Sequence, residues 1–198
     1  MKYRNPECKY EKTFIAKLDQ VRFFCTATLV HGDRICLVGG NNANQTIGSV
    51  HWLDLKSRTF SNGPSLNQPR NFHSTILFGA KLYTLGGRIS VNGGYRDSIE
   101  ILDVMETEAQ WSIFTNSNFS ARQFSVVCRI GPSTILIAGG YNGDYIRDAI
   151  LFDPDKKTFK KSETDFPFGF GSYNQARMIA PGEVIALVET EGKKVSVV

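Results

Sequence analysis

Three histidines, His31, His51 and His73, and four cysteines, Cys8, Cys25, Cys36 and Cys128, are the residues of this 198-residue chain best suited to general-base, nucleophilic or soft-metal chemistry. Their spacing does not assemble it. Zinc sites draw on close pairs such as C-x-x-C, and none is present. The histidines fall in segments that read as a hairpin turn, a third strand and a first strand of successive units, with no shared site. Paired carboxylates could work as acid and base, but Glu106/Glu108 and Asp153/Asp155 sit among turn formers, where solvent-facing turn chemistry accounts for them. Gly169-Phe170-Gly171-Ser172 lacks the third glycine and the strand-to-helix setting of a dinucleotide loop. Asp54, Asp103 and Asp153 recur at one position after an apolar stretch. A site used once has no reason to recur, so capping of strand-end backbone is the expected role. No catalytic residue, metal site or cofactor is expected.

The elements that would position any such residue are repeated. An adjacent glycine pair closes a β-branched or aliphatic run three times: Leu37-Val38-Gly39-Gly40, Thr84-Leu85-Gly86-Gly87 and Ile137-Ala138-Gly139-Gly140. About seventeen residues earlier stands an arginine with phenylalanine two positions on: Arg22/Phe24, Arg70/Phe72 and Arg122/Phe124. After each pair a polar loop leads to an apolar stretch ending in aspartate, and an aromatic returns at Phe60, Trp111 and Phe159. A period near fifty residues signals blade-by-blade β architecture. Runs such as Thr26-Ala27-Thr28-Leu29-Val30, His31-Gly32-Asp33 and Arg34-Ile35-Cys36-Leu37-Val38 read as hairpins. A fourth, degenerate copy places Ser172-Tyr173-Asn174 at the arginine-phenylalanine segment and Val184 to Val188 at the strand.

This pattern, and the wording Gly139-Gly140-Tyr141-Asn142-Gly143 above all, resembles the kelch repeat from about Thr13 to the C-terminus. The resemblance implies an all-β propeller of four-stranded antiparallel blades. The expected organisation is one domain over 1–198, with repeats at about 19–66, 67–118, 119–165 and a degenerate 166–198 completed by residues 10–18. Lys12-Thr13-Phe14 matches Arg58-Thr59-Phe60 and Lys157-Thr158-Phe159, so the chain reads as opening with a last strand and ending near Lys194-Val195-Ser196-Val197-Val198 with a third. Two readings follow: a four-bladed ring clasped by pairing 12–18 with 193–198, or a piece of a longer propeller. The whole strand count favours the ring. The repeated arginines are expected to tie a first strand to the neighbouring blade through backbone carbonyls.

Composition limits the partners. The net charge is +4, from 23 basic and 19 acidic residues. Aspartates interrupt the one lysine cluster, Lys156-Lys157 and Lys160-Lys161, so a solvated turn is expected there and not a nucleic-acid patch. No run of about 18 apolar residues offers a membrane span. The N-terminus lacks the apolar segment of a secretory signal, which predicts reduced cysteines and a cytoplasmic location.

Recognition is the remaining chemistry, and loops carry it on rigid scaffolds. The longest connections are Asn41 to Gly48, Arg88 to Asp97 and Tyr141 to Arg147, and in a propeller they share one face. The expected partner-binding residues are Arg88, Tyr95, Arg96, Tyr141, Asn142, Tyr145 and Arg147, with Asn42 and Asn44 nearby. Arginine and tyrosine combine contact area with directional hydrogen bonding, which suits a peptide or protein segment bearing Asp or Glu. The expected function is therefore non-enzymatic protein binding. The kelch resemblance adds ubiquitin-ligase or actin association as family possibilities, and leaves a small carbohydrate-active or isomerising enzyme as the alternative.

Overall fold

The computed structural model describes residues 14–90, 92–163, 165, 166 and 169, together with the backbone of three strands within 175–197. Among the described residues there is no helix. The first sheet holds β1 (Thr26–Val30), β2 (Arg34–Val38), β3 (Val50–Asp54) and β4 (Thr59–Gly63). The second holds β5 (Ser74–Phe78), β6 (Lys81–Leu85), β7 (Ser98–Asp103) and β8 (Ser112–Thr115). The third holds β9 (Val126–Arg129), β10 (Ile135–Ala138), β11 (Ala149–Asp153) and β12 (Thr158–Lys161). In the last, β13 (Gln175–Ala180), β14 (Glu183–Glu189) and β15 (Val195–Val197) form a three-stranded sheet. All pairings are antiparallel between strands adjacent in sequence, the meander of a propeller blade.

Strand alternation decides how the blades stack. Cys36 and Val38 point from the first blade toward the second, where Leu82 and Leu102 meet them in one core cluster with Trp52 and Trp111. Tyr83 and Leu85 repeat the arrangement against Ile135, Ile137 and Phe152 of the third blade. Innermost strands touch in chain order, β1 with β5, β5 with β9 and β9 with β13. Among the described residues no contact of similar extent joins β13 to β1. Where the clasp was expected, Phe14 to Leu18 carry no strand, and β15 pairs only with β14 among the described residues. Lys12, Thr13, Lys193, Lys194 and Val198 lie outside the described residues.

The repeated arginine and glycine pair meet at the joint between blades. Arg70 is fully buried, and its Nη1 donates to the carbonyls of Gly86 at 2.9 Å and Ser98 at 3.0 Å, both in its own blade. Arg22 reaches Gly39 and Ser49 in the same way, and Arg122 reaches Gly139 and the Asp148 carboxylate. The side chain therefore closes its own blade, not the neighbouring one as the sequence suggested. The contact across blades runs through the arginine backbone: Gly40 N donates to Arg70 O at 2.9 Å and Gly87 N to Arg122 O at 2.7 Å. Such an approach leaves no room for a side chain. A Cβ on Gly39, whose φ is +57, would stand 2.6 Å from Arg70 O and 2.9 Å from His73 Cε1 of the next blade.

Aspartate capping is as expected. Asp54 Oδ1 accepts from Lys56 N and Ser57 N, Asp103 Oδ1 from Met105 N, and Asp153 Oδ1 from Asp155 N and Lys156 N. Each holds the turn between the third and fourth strands, and the accepted hydrogen bonds keep Asp54 and Asp153 below the usual carboxylate range.

Burial pulls the Arg70 guanidinium down to about 10, and the paired Glu100, with Oε1 2.8 Å from Nη2, works against that fall. Glu100 also accepts from Asn67 N and Gln68 N, fixing the connection that leads into the second blade. Arg70→Ala leaves this carboxylate buried without its cation, which costs about 3–5 kcal/mol. Denaturant unfolding should show that loss, and Arg70→Ala with an unchanged midpoint would remove the assigned role.

Candidate functional site

Each blade builds its loop face from a small backbone ladder. The residue after the repeated arginine pairs with the first residue after the glycine pair, which pairs in turn with the end of the same loop. The three ladders are Phe23 with Asn41 and Thr46, Asn71 with Arg88 and Tyr95, and Gln123 with Tyr141 and Tyr145. Loop tips thus stand on a framework anchored at the buried arginines.

Four of the expected residues come together across two blades. Arg88 lies over the Tyr95 ring at 5.1 Å, while its Nη2 donates to Gly93 O at 3.1 Å. The Tyr95 ring meets Tyr141 edge-on at 6.1 Å, and Tyr141 meets Tyr145 at 5.4 Å. All four are half-buried, so each ring keeps part of its face open. Gly169 packs against the back of Tyr145, where a Cβ would come within 2.5 Å of Tyr145 Cβ. The result is a continuous strip of one guanidinium and three phenols bridging the second and third blades.

The other expected residues stand apart from the strip. Arg96 donates from Nε and Nη2 to Pro69 O at 3.1 and 3.0 Å, and burial lowers its basicity. It therefore fastens the loop to the connection before the second blade. Arg147 and Asn142 are exposed. In the first blade Asn42 Oδ1 accepts from Asn44 N and Gln45 N, which makes Asn42 a turn former. Two buried amides escaped the sequence reading. Asn71 and Gln123 lie beneath the loops, and Asn71 Nδ2 donates to Asn41 Oδ1 at 2.6 Å and Thr46 Oγ1 at 3.0 Å. Their shared position beside the arginine was the available signal.

The histidines and cysteines stay dispersed, and among the described residues no three His, Cys, Asp or Glu side chains converge as metal ligands would. His51 Nδ1 lies 2.6 Å from Arg22 Nη2, and burial followed by the arginine charge lowers its proton affinity. His73, one residue before β5, lies 3.1 Å from Thr26 Oγ1 across the blade joint. Burial raises the thiols of Cys36 to about 12 and of Cys128 to about 11, the range of inert buried cysteines. No described helix is long and apolar enough to cross a membrane.

Stacked four-stranded meanders with glycine-closed second strands define a β-propeller. A family profile described as KLHDC2/KLHL20/DRC7 Kelch-repeats domain matches residues 10–185, and the chain belongs to the kelch-repeat family. Human Kelch-like protein 15 is 31% identical over 156 residues, covering 68% of this chain and 25% of that protein. Acyl-CoA-binding domain-containing protein 5 of Arabidopsis thaliana is 23% identical over 177 residues, covering 84% of this chain and 27% of its own length. The chain thus spans about a quarter of the relatives it matches. The solved structure of YjhT superposes with a TM-score of 0.77 at 13% identity, over 91% of this chain and 66% of that one, which is a likeness of fold.

Two predictions come from these positions. Burial, with the Arg70 charge adding to it, pushes the His73 imidazole down to about 3. It stays neutral where an unfolded histidine, near 6.5, takes up a proton. The stability this contributes is full above pH 6.5 and is lost as pH falls from there toward 3. Unfolding midpoints across that range should decline, and His73→Gln should flatten the histidine part of the slope. In thermal melts Arg96→Ala should lower the midpoint, whereas Arg147→Ala should change stability by no more than about 0.5 kcal/mol.

Proposed function

We propose that this chain is a non-enzymatic interaction module that takes a peptide or protein segment on its loop face. The strip Arg88, Tyr95, Tyr141 and Tyr145 carries the reading. These residues occupy variable loop positions, so they are free to differ from blade to blade without disturbing the core, and they are the types enriched where binding energy concentrates. Membership of the kelch-repeat family, typically made of protein-interaction modules, supports the same class.

The expected ligand is an acidic segment containing an apolar or aromatic residue. Arg88 and the exposed Arg147 offer charge-assisted hydrogen bonds to carboxylates, and the phenols cover apolar area while keeping hydroxyls for hydrogen bonding. A ubiquitin-ligase or actin-associated setting has only the family resemblance to support it, and the domain contacting the rest of a ligase assembly would be a separate one. A cytoplasmic location is part of this reading, supported by the free thiols of Cys25, Cys36 and Cys128.

A displayed peptide library tests this directly. Selected peptides should be enriched in Asp or Glu, bind more weakly as salt rises from about 0.05 to about 0.5 M, and lose at least tenfold in affinity to Arg88→Ala/Tyr141→Ala at unchanged strand content. Ligands indifferent to both salt and this double substitution would place recognition elsewhere.

A further inference from the structure

Among the described residues six other than glycine adopt positive φ, and three of these are phenylalanines at one repeat position: Phe24 at +55, Phe72 at +52 and Phe124 at +58. For a bulky side chain this backbone is strained, and glycine would adopt it freely. Recurrence can mark a backbone device, as with Asp54, Asp103 and Asp153, but a phenyl ring holds no backbone group. The ring itself is what the position retains, against local strain of the kind that collects at functional sites.

The three rings form one row around the axis. Each stands two residues before an innermost strand, β1, β5 or β9, and those strands touch in chain order. Phe72 N donates to Phe24 O at 3.2 Å and Phe124 N to Phe72 O at 3.0 Å, while the ring centroids lie 4.0 and 4.7 Å apart. Packing between blades does not consume these rings. Leu82, Leu85 and Ile137, which seal the blade joints, are 0% exposed, whereas Phe24 is 41% exposed, Phe23 beside it 52%, and Phe72 and Phe124 are half-buried. The row is also continuous with the strip on the loops. Asn71, next to Phe72, pairs with Arg88, and Gln123, next to Phe124, pairs with Tyr141.

We infer that this row, given the loop face as the peptide surface proposed above, seats an aromatic side chain of the acidic segment whose carboxylates meet Arg88 and Arg147. The chemistry of the row selects that occupant in two ways. Rings already in tilted contact gain from a further tilted or edge-on ring beyond the area it covers. A cation, which phenyl faces also attract, is opposed by the guanidinium of Arg88 on the adjoining ladder.

Calorimetric titration with a peptide selected by the wild-type chain from the displayed library tests the inference. Replacing the peptide's aromatic residue with alanine should weaken binding to the wild type by about tenfold or more. Against Phe72→Gly and, separately, Phe24→Gly the same replacement should weaken binding by less than about threefold, because the seat is gone, while removal of the peptide's carboxylates should weaken binding to all three chains alike. Glycine suits the backbone at both positions, so both variants should keep the strand content of the wild type; Phe24→Gly, which removes an exposed ring, carries the test should Phe72→Gly not fold. Phe72→Tyr keeps the ring and should keep the full effect of the aromatic replacement, as should Ile113→Ala, which removes a comparably exposed apolar side chain on the outer strand β8. An aromatic replacement that weakens binding equally in the wild type and the glycine variants overturns the inference, and leaves the loop-face reading standing if Arg88→Ala/Tyr141→Ala still lowers affinity. Selected peptides with no aromatic residue overturn it as well. A chain that selects no peptide overturns it together with the reading on which it rests.

Discussion

The buried guanidinium between blades is the constraint on which the rest of this propeller depends. One residue serves two neighbours: its side chain binds the carbonyls at the end of the second strand and the start of the third, and its backbone oxygen accepts from the second glycine of the preceding blade. A guanidinium can do this because it is planar, carries five donors and stays charged when buried. The glycines are required by the same geometry, since the two backbones approach within hydrogen-bonding distance at positive φ, where a Cβ would collide.

Around this joint the blades vary in how they neutralise the charge, and the variation separates structure from recognition. Arg70 meets a fully buried Glu100, Arg122 meets the partly exposed Asp148, and Arg22 has His51 beside it. The arginine is thus most deeply buried in the second and third blades and only half-buried in the first. The loops grow from the ladders above each joint. Their backbone is held, which allows Arg88, Tyr95, Tyr141 and Tyr145 to project side chains from defined positions at small entropic cost.

Much of the fold was legible because it is repeated. The glycine pairs, the arginine and the aspartate recur at fixed offsets, and each turned out to be a backbone-organising group. What the sequence misplaced was the direction of the arginine side chain. Spacing alone does not tell a contact within a blade from one between blades, as both carbonyl sets lie about the same distance along the chain. The face of the candidate site was legible, since loops after the glycine pairs must lie beside the start of each first strand. Its internal division was not. Arg96 and Arg147 are alike in type and loop position, yet one is committed to Pro69 O and the other is exposed. Asn71 and Gln123 were given no role from the sequence, and only their burial beneath the loops singles them out.

The central claim is a division of labour, with the joints rigid and the loop tips free to serve recognition. Amide hydrogen exchange in the native protein tests it most directly. The amides of Gly40 and Gly87, which donate across the blade joints, should be among the slowest to exchange, opening only with global unfolding. Those of Ser90, Asn92, Gly143 and Asp144 at the loop tips should exchange orders of magnitude faster. Comparable exchange at the joint glycines and the loop tips would contradict the account.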